Sequence, residues 1–96
     1  MSDLVRRTDR LLSALASARD AFAAGDALSA SAALDDVVAS CAELERAGVW
    51  LDRGTLQDAI ALHRACAEAA LTAQVTLNEK LEQAAGARRA ARAYAG

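Results

Sequence analysis

The stretch TLQDAIALHRACAEAALTAQVTLNEKLEQAA, residues 55–85, decides the fold because it contains neither proline nor glycine. Residues that recur along it at steps of three and four share one helix face. These steps fall on Leu56, Ile60, His63, Ala67, Ala70, Gln74, Leu77, Leu81 and Ala84, and a parallel stripe of Ala59, Leu62, Cys66, Ala69 and Ala73 borders them. Thr55, followed by Asp58, is similar to a capping box. The sequence therefore predicts one long helix that packs on its neighbours along the Leu56–Ala84 stripe.

Two shorter helices are predicted before it, over residues 3–24 and 27–47. Gly25 ends the first helix, because glycine reaches the left-handed conformation without strain, and Asp26 caps the second. Gly48 is the predicted end of the second helix. The predicted packing faces are Leu4, Thr8, Leu11, Leu15, Ala18 and Phe22 in the first helix, and Leu34, Val37, Cys41 and Leu44 in the second.

The expected fold class is all-α, because 27 of the 96 residues are alanine and proline is absent. A hydrophobic content of 54% excludes a disordered chain. The helices are expected to form one domain over residues 1–96, an elongated antiparallel bundle or hairpin of three helices whose C-terminal helix is longest. Residues 86–96 are expected to form a loosely helical basic tail, and Trp50 to fold back over the bundle end. Two arrangements stay open: the first two helices fold back on each other, or Gly25 only kinks one long rod.

A short, alanine-rich chain is expected to need a partner, because each alanine contributes little apolar area to a core. The third helix carries a mixed surface on Leu71, Val75 and Leu77, with Gln74 and Asn78 between them. Such a surface suits recognition of another helix. The alternative, equally open, is that these residues complete the seam of a homodimer.

No pattern in the sequence supports catalysis, a cofactor or a metal ion. His63 is the sole histidine, and Cys41 and Cys66 have no CxxC spacing, so the ligands of a metal site are missing. The net charge of −2 argues against nucleic acid. No run of apolar residues is long enough for a membrane span, and no charged-then-apolar leader opens the chain. The expected compartment is the cytoplasm, and the expected class is a binding protein, not an enzyme.

Two segments resemble flagellar export chaperones of the FlgN/FliT type. The first is AFAAGDALSASAALDDVVASCAELE, residues 21–45, in which a Gly-Asp break separates two helices of small residues. The second is AQVTLNEKLEQAAGARRAARAYAG, residues 73–96, in which a helix with a central Asn78 is followed by small and basic residues and the ending Tyr94-Ala95-Gly96. The first is similar to the N-terminal hairpin of the family, and the second to its C-terminal segment.

The resemblance implies a cytoplasmic chaperone of the bacterial type III export system. Such a chaperone binds a helical segment of a hook-associated or cap subunit, prevents its premature assembly and delivers it to the export gate. The cargo side would then comprise Leu71, Val75, Asn78 and Leu81, next to Leu77. Tyr94 would contact the cytoplasmic domain of the gate, flanked by Arg88, Arg89 and Arg92. Two other functions stay open: a homo-oligomeric helical adaptor or coiled-coil module, and a chaperone of a virulence-type secretion system.

Overall fold

The computed structural model of the chain describes residues 2–95. Its three helices are α1 (Ser2–Ala23), α2 (Ala27–Arg46) and α3 (Arg53–Ala95), and the described residues contain no strand. The predictions of an all-α fold and of a longest C-terminal helix are confirmed. At 1.5 Å per residue, α3 is about 65 Å long. It accounts for most of the 71 Å long axis of the molecule, which is only 20 Å by 17 Å across.

The break between α1 and α2 is built as the sequence predicts. Gly25 and Gly48 have φ values of +73° and +64°, in the left-handed region that favours glycine, and they follow the ends of α1 and α2. The Asp26 carboxylate caps α2: it accepts hydrogen bonds from the Ser29 backbone N at 3.0 Å and from Ser29 Oγ at 2.7 Å. The chain therefore reverses direction after α1, and Gly25 does not merely kink a longer rod.

α3 is longer at both ends than the sequence predicts. Asp52 accepts a hydrogen bond from the Thr55 backbone N at 2.7 Å, so the helix starts before the predicted capping box at Thr55, and that box is wrong. Gly86 does not loosen the helix, and the predicted tail over residues 86–96 continues α3 to the last described residue. A glycine inside a helix costs only about 1 kcal/mol relative to alanine, and the alanines around Gly86 favour the helix. Gly96 lies outside the described residues.

The helices form an up-down-up bundle in which α1 packs against both other helices. Leu11 and Leu15 of α1 form a buried cluster with Leu44 of α2, against which Ala59 and Leu62 of α3 pack. Within the described residues, no Cα atom of α2 lies within 8 Å of one in α3. The core is therefore organised around α1.

A second buried cluster lies nearer to the Gly25 turn. It comprises Ala18 of α1, Ala33 of α2 and Cys66 of α3, with Phe22 packed against it. The order of the two clusters along the chain makes α1 parallel to α3 and antiparallel to α2. Because this cluster contains only small fully buried side chains, it supplies little transfer free energy.

The predicted packing face of α1 is correct at its centre, but those of α2 and α3 are displaced around the helix. α1 buries Leu11, Leu15 and Ala18. On α2 the predicted Leu44 is buried and the predicted Val37 is half-buried against it, but Ala33 and Ser40 are buried in place of the predicted Leu34 and Cys41, which are exposed. On α3 the buried or half-buried stripe is Ala59, Leu62, Cys66, Ala69 and Ala73, whereas Leu56, Ile60, His63 and Ala67 are exposed. The physical reason is close packing: the large α1 side chains fit best opposite the stripes with small residues.

Trp50 does not fold back over the bundle. Its neighbours Val49 and Leu51 pack against the Leu11 cluster, whereas the indole is 93% exposed. Val49 and Leu51 are half-buried on the core side, and Trp50 between them is exposed to solvent. The expectation that it covers the bundle end is wrong.

Candidate functional site: the uncovered face of α3

The C-terminal half of α3 extends beyond the rest of the bundle. We call residues 74–95 the arm, because the Gly25 turn lies beside Ala69 to Lys80 and no other helix continues past it. Every residue of the arm is exposed except Gly86, which is half-buried. At 1.5 Å per residue the arm is about 33 Å long.

A notch of about 860 Å³ opens where the arm leaves the bundle. Its walls are Phe22 and the Gly25 turn on one side, and Ala69, Ala73 and Leu77 of α3 on the other. These residues are apolar or small, so the notch accepts apolar side chains. It lies at the point where α1 ends and α3 goes on alone.

Two charged residues border the notch. Asp26 lies on the turn side and Lys80 on the arm side. The hydrogen bonds from the Ser29 side chain and backbone N hold the pKa of the Asp26 carboxyl below its ordinary value. The notch therefore combines an apolar wall with an anionic residue at one edge and a lysine at the other.

The structure places the five predicted cargo residues on two faces of α3. Leu77 and Leu81 are one turn apart and continue the face that packs on α1, formed lower down by Cys66 and Ala73. Leu77 is 55% exposed and Leu81 58% exposed. The other three, Leu71, Val75 and Asn78, are also exposed and lie on another side of the helix, since Val75 is about 160° around the axis from Leu77 at 100° per residue. One straight helix cannot contact both faces at once.

The predicted gate residues lie together at the tip of the arm. Arg88, Arg89, Arg92 and Tyr94 are all exposed on the last three turns of α3. Within the part of the chain that the structure describes, none of the three arginines forms an ion pair. The tip therefore presents three free positive charges and an aromatic side chain to solvent.

Other residues that sequence reasoning considered lie apart from the arm. Cys66 is buried in the core, Cys41 and His63 are exposed, and both cysteines are free thiols. Among residues 2–95, no group of three or more His, Cys, Asp or Glu side chains is placed to hold a metal ion. No described helix is long and apolar enough to cross a membrane.

Comparisons with protein-family models, with curated proteins and with solved structures find no match to this chain. The resemblance to FlgN/FliT-type chaperones therefore stays a prediction from the sequence.

Sequence reasoning missed Phe22 as part of a site. It appears in the sequence as the last member of the α1 packing face, and in the structure it also forms a wall of the notch. The signal is its position: a large apolar residue next to the glycine that ends its helix lies at the end of the bundle. The sequence also predicts that α3 continues well past the end of α1. The position of Phe22 beside the first turns of the arm could therefore have been predicted from the sequence.

Proposed function

We propose that this protein is a chaperone that binds a helical segment of another polypeptide along the arm. The client is a flagellar hook-associated or cap subunit in the bacterial cytoplasm, which the chaperone keeps unassembled and delivers to the type III export gate. One observation carries the binding surface: within residues 2–95, the α3 face that packs on α1 continues beyond the end of α1 and no other helix covers it. The choice of a flagellar client is supported by the resemblance of residues 21–45 and 73–96 to FlgN/FliT-type chaperones.

A client helix would continue the line of α1. Its apolar face would cover Leu77 and Leu81, and its end would enter the notch beside Phe22. Fully burying a leucine side chain contributes about 1.5–3 kcal/mol, and more than half of each of these two side chains is still exposed. Ala84 and Ala91 follow on the same face, and their small side chains allow a second helix to approach closely.

Client binding also supports the arm itself. Most helical stability in proteins comes from packing of an apolar face, and isolated helices are marginal in water even when they are rich in alanine. A client helix therefore stabilises the arm, and the arm in turn covers the apolar face that the client uses for assembly. This reciprocal burial is the physical basis of the chaperone role.

The tip of the arm supports the second half of the proposal, delivery to the export gate. Its three arginines and Tyr94 lie beyond the Leu77–Leu81 surface, toward the C-terminal end of α3. Arginine and tyrosine are enriched at protein interfaces, since each combines apolar area with hydrogen-bonding groups. Tyr94→Ala is expected to leave client binding unchanged and to weaken binding of the gate's cytoplasmic domain.

Calorimetric titration of the full chain with purified hook-associated and cap subunits of the same bacterium tests the client surface. Leu77→Asp is expected to weaken binding at least about tenfold, or 1.4 kcal/mol, because it removes apolar burial and places a carboxylate in the contact. Val75→Asp is the matched control, since it makes the same change on another face of the same arm. Equal losses in both variants would refute the assignment of the face, and no binding by the unaltered chain would refute the client.

A homo-oligomeric adaptor is the second candidate function. The exposed Leu56 and Ile60 on α3 favour it, because they lie on the bundle itself and not on the arm. An adaptor without a client would form the same oligomer whether or not export subunits are present. Titration with needle and translocator subunits of a virulence-type secretion system distinguishes that third possibility.

A further inference from the structure

A second exposed apolar surface lies on the bundle, away from the arm. We call it the lateral face and define it by its residues, which are Leu34, Val38 and Cys41 of α2, and Leu56, Ile60, His63 and Ala67 of α3. Leu56 is 47% exposed and Ile60 is 43% exposed. Both are large apolar side chains at the three-four spacing of a packing face, yet the single chain does not cover them.

The α2 part of the lateral face points away from α1. The Arg10 guanidinium of α1 lies 3.1 Å from the Glu43 carboxylate, which places Glu43 on the outer flank of the α1–α2 contact. At 100° per residue, Leu34 and Cys41 lie about 160–180° around α2 from Glu43. They are therefore on the flank that α1 leaves free.

The α3 part lies on the same side of the molecule. Ala65 is half-buried and marks the flank of α3 beside α1. Ile60 and Ala67 lie roughly 140–160° around α3 from Ala65, on the other flank. Both core clusters bring α2 and α3 to the side of α1 that carries Leu11, Leu15 and Ala18, and we infer that the two exposed stripes are the two halves of one surface on that side.

The edges of the lateral face have opposite charges. Asp35 and Glu45 border its α2 side, and Arg53 and Arg64 border its α3 side. Within residues 2–95, none of these four groups forms an ion pair. The face therefore has an acidic edge and a basic edge, which is the pattern of a surface that can pair with a rotated copy of itself.

The register of the bundle determines which charges would meet. Ala33 and Cys66 both belong to the buried cluster that contains Ala18 of α1, so residues of α2 and α3 whose numbers add to about 99 are level. A two-fold axis parallel to the helices keeps that level and sets α2 of one copy against α3 of the other. Asp35 then lies level with Arg64, and Glu45 with Arg53. A two-fold axis across the helices would instead set one acidic α2 edge against the other, which is unfavourable.

We propose that the lateral face is the interface of a homodimer in which α2 of each copy packs against α3 of the other. In this dimer each α2 runs antiparallel to the α3 of the other copy, and each α1 lies outside. The dimer supplies what the single chain lacks: among residues 2–95, Leu11, Leu15 and Leu44 are the only large side chains that are buried. Covering Leu56 and Ile60 in both copies adds apolar burial that the two small clusters do not provide.

This dimer places both arms at the same end of the molecule. Each arm keeps its Leu77–Leu81 face on the side on which its own α1 packs, so both faces stay open in the dimer. Their use as client sites rests on the proposed function, whereas the dimer itself does not.

Sedimentation velocity of the full chain between about 1 and 100 µM tests the dimer. The unaltered chain is expected to show a concentration-dependent monomer–dimer equilibrium. Ile60→Asp is expected to weaken it at least about tenfold while the circular dichroism of the helices is retained. Val5→Asp is the control: Val5 is 58% exposed on α1, which lies outside the proposed interface, and its change is expected to leave dimerisation intact.

A charge exchange tests the pairing of α2 with α3. Arg64→Asp is expected to weaken the dimer, and the double variant Asp35→Arg with Arg64→Asp is expected to restore it. The proposal is overturned by a monomer at every concentration, by an Ile60→Asp dimer as stable as that of the unaltered chain, or by a double variant no stronger than Arg64→Asp. Because client binding is measured on Leu77→Asp, either proposal can fail while the other holds.

Discussion

Replacing Ser40 with alanine is expected to stabilise the protein. The Ser40 side chain is only 2% exposed, and among the described residues its Oγ has no hydrogen-bond partner. A buried hydroxyl without a partner costs about 1–3 kcal/mol, which the substitution recovers. Alanine adds about 0.5 kcal/mol of helix propensity.

Thermal unfolding followed by circular dichroism, at one fixed protein concentration, measures this effect. For a domain of this size, 1 kcal/mol shifts Tm by roughly 4–8 °C, so Ser40→Ala is expected to raise Tm by at least about 6 °C. Ser31→Ala is the matched control, because Ser31 is exposed on the same helix and gains the propensity term alone. If Ser40→Ala raises Tm no more than Ser31→Ala does, the Ser40 hydroxyl has a partner and the packing of α2 against α1 described above is wrong.

Two further predictions concern the glycines and the capping carboxylates. Gly86→Ala is expected to stabilise α3 by about 1 kcal/mol, because alanine has the higher helix propensity and a Cβ at this position meets no atom within 4 Å. Gly25→Ala is expected to destabilise the protein, because its φ of +73° is strained for any residue with a Cβ. Thermal unfolding measures both effects. Hydrogen bonds from Ser29 and Thr55, respectively, hold the pKa of Asp26 and Asp52 below the ordinary value of 3.8. The stabilising effect of these two carboxylates is therefore complete above pH 3.8 and is lost as the pH falls through their lowered pKa. Asn is also a good N-cap but does not titrate, so the Tm of Asp52→Asn is expected to fall less steeply on acidification than that of the unaltered chain. Identical plots of Tm against pH for the two proteins would contradict this prediction.

The sequence was sufficient for the elements of the fold. Glycine and aspartate at positions 25 and 26 act locally, through backbone conformation and one side-chain cap, so no distant contact was needed to predict them. The α1 packing face was also readable, because Leu11, Leu15 and Ala18 recur at steps of four and three. The up-down-up arrangement, which the sequence left open, follows from the full reversal at Gly25.

The sequence was not sufficient to choose between neighbouring stripes on α2 and α3. On α3, both the Leu56–Ile60 stripe and the Ala59–Leu62 stripe are apolar, so periodicity permits either. Which of the two stripes packs on α1 depends on the size of the α1 side chains opposite, and that depends on how the helices are placed in the folded chain. The same limit applies to the cargo residues: sequence placed Leu77 and Val75 on one surface, and the helix rotation separates them.

The continuation of α3 past Gly86 could have been predicted with a stricter reading of helix propensity. One glycine costs about as much as a few alanines supply, and residues 84–95 contain seven alanines and three arginines, all strong helix formers. Glycine is a reliable helix end only where the backbone turns left-handed, as at Gly25 and Gly48. Gly86 does not have a positive φ.

Amide hydrogen exchange along α3 tests most directly whether the arm is an uncovered packing face that a client helix completes. In the free protein, residues 59–73 are expected to be protected and the arm, residues 74–95, to exchange much faster, because no helix packs on it. Adding the client subunit is expected to slow exchange around Leu77 and Leu81. An arm that is already as protected as residues 59–73 in the free protein, or whose exchange is unchanged by a client that binds, would contradict the account.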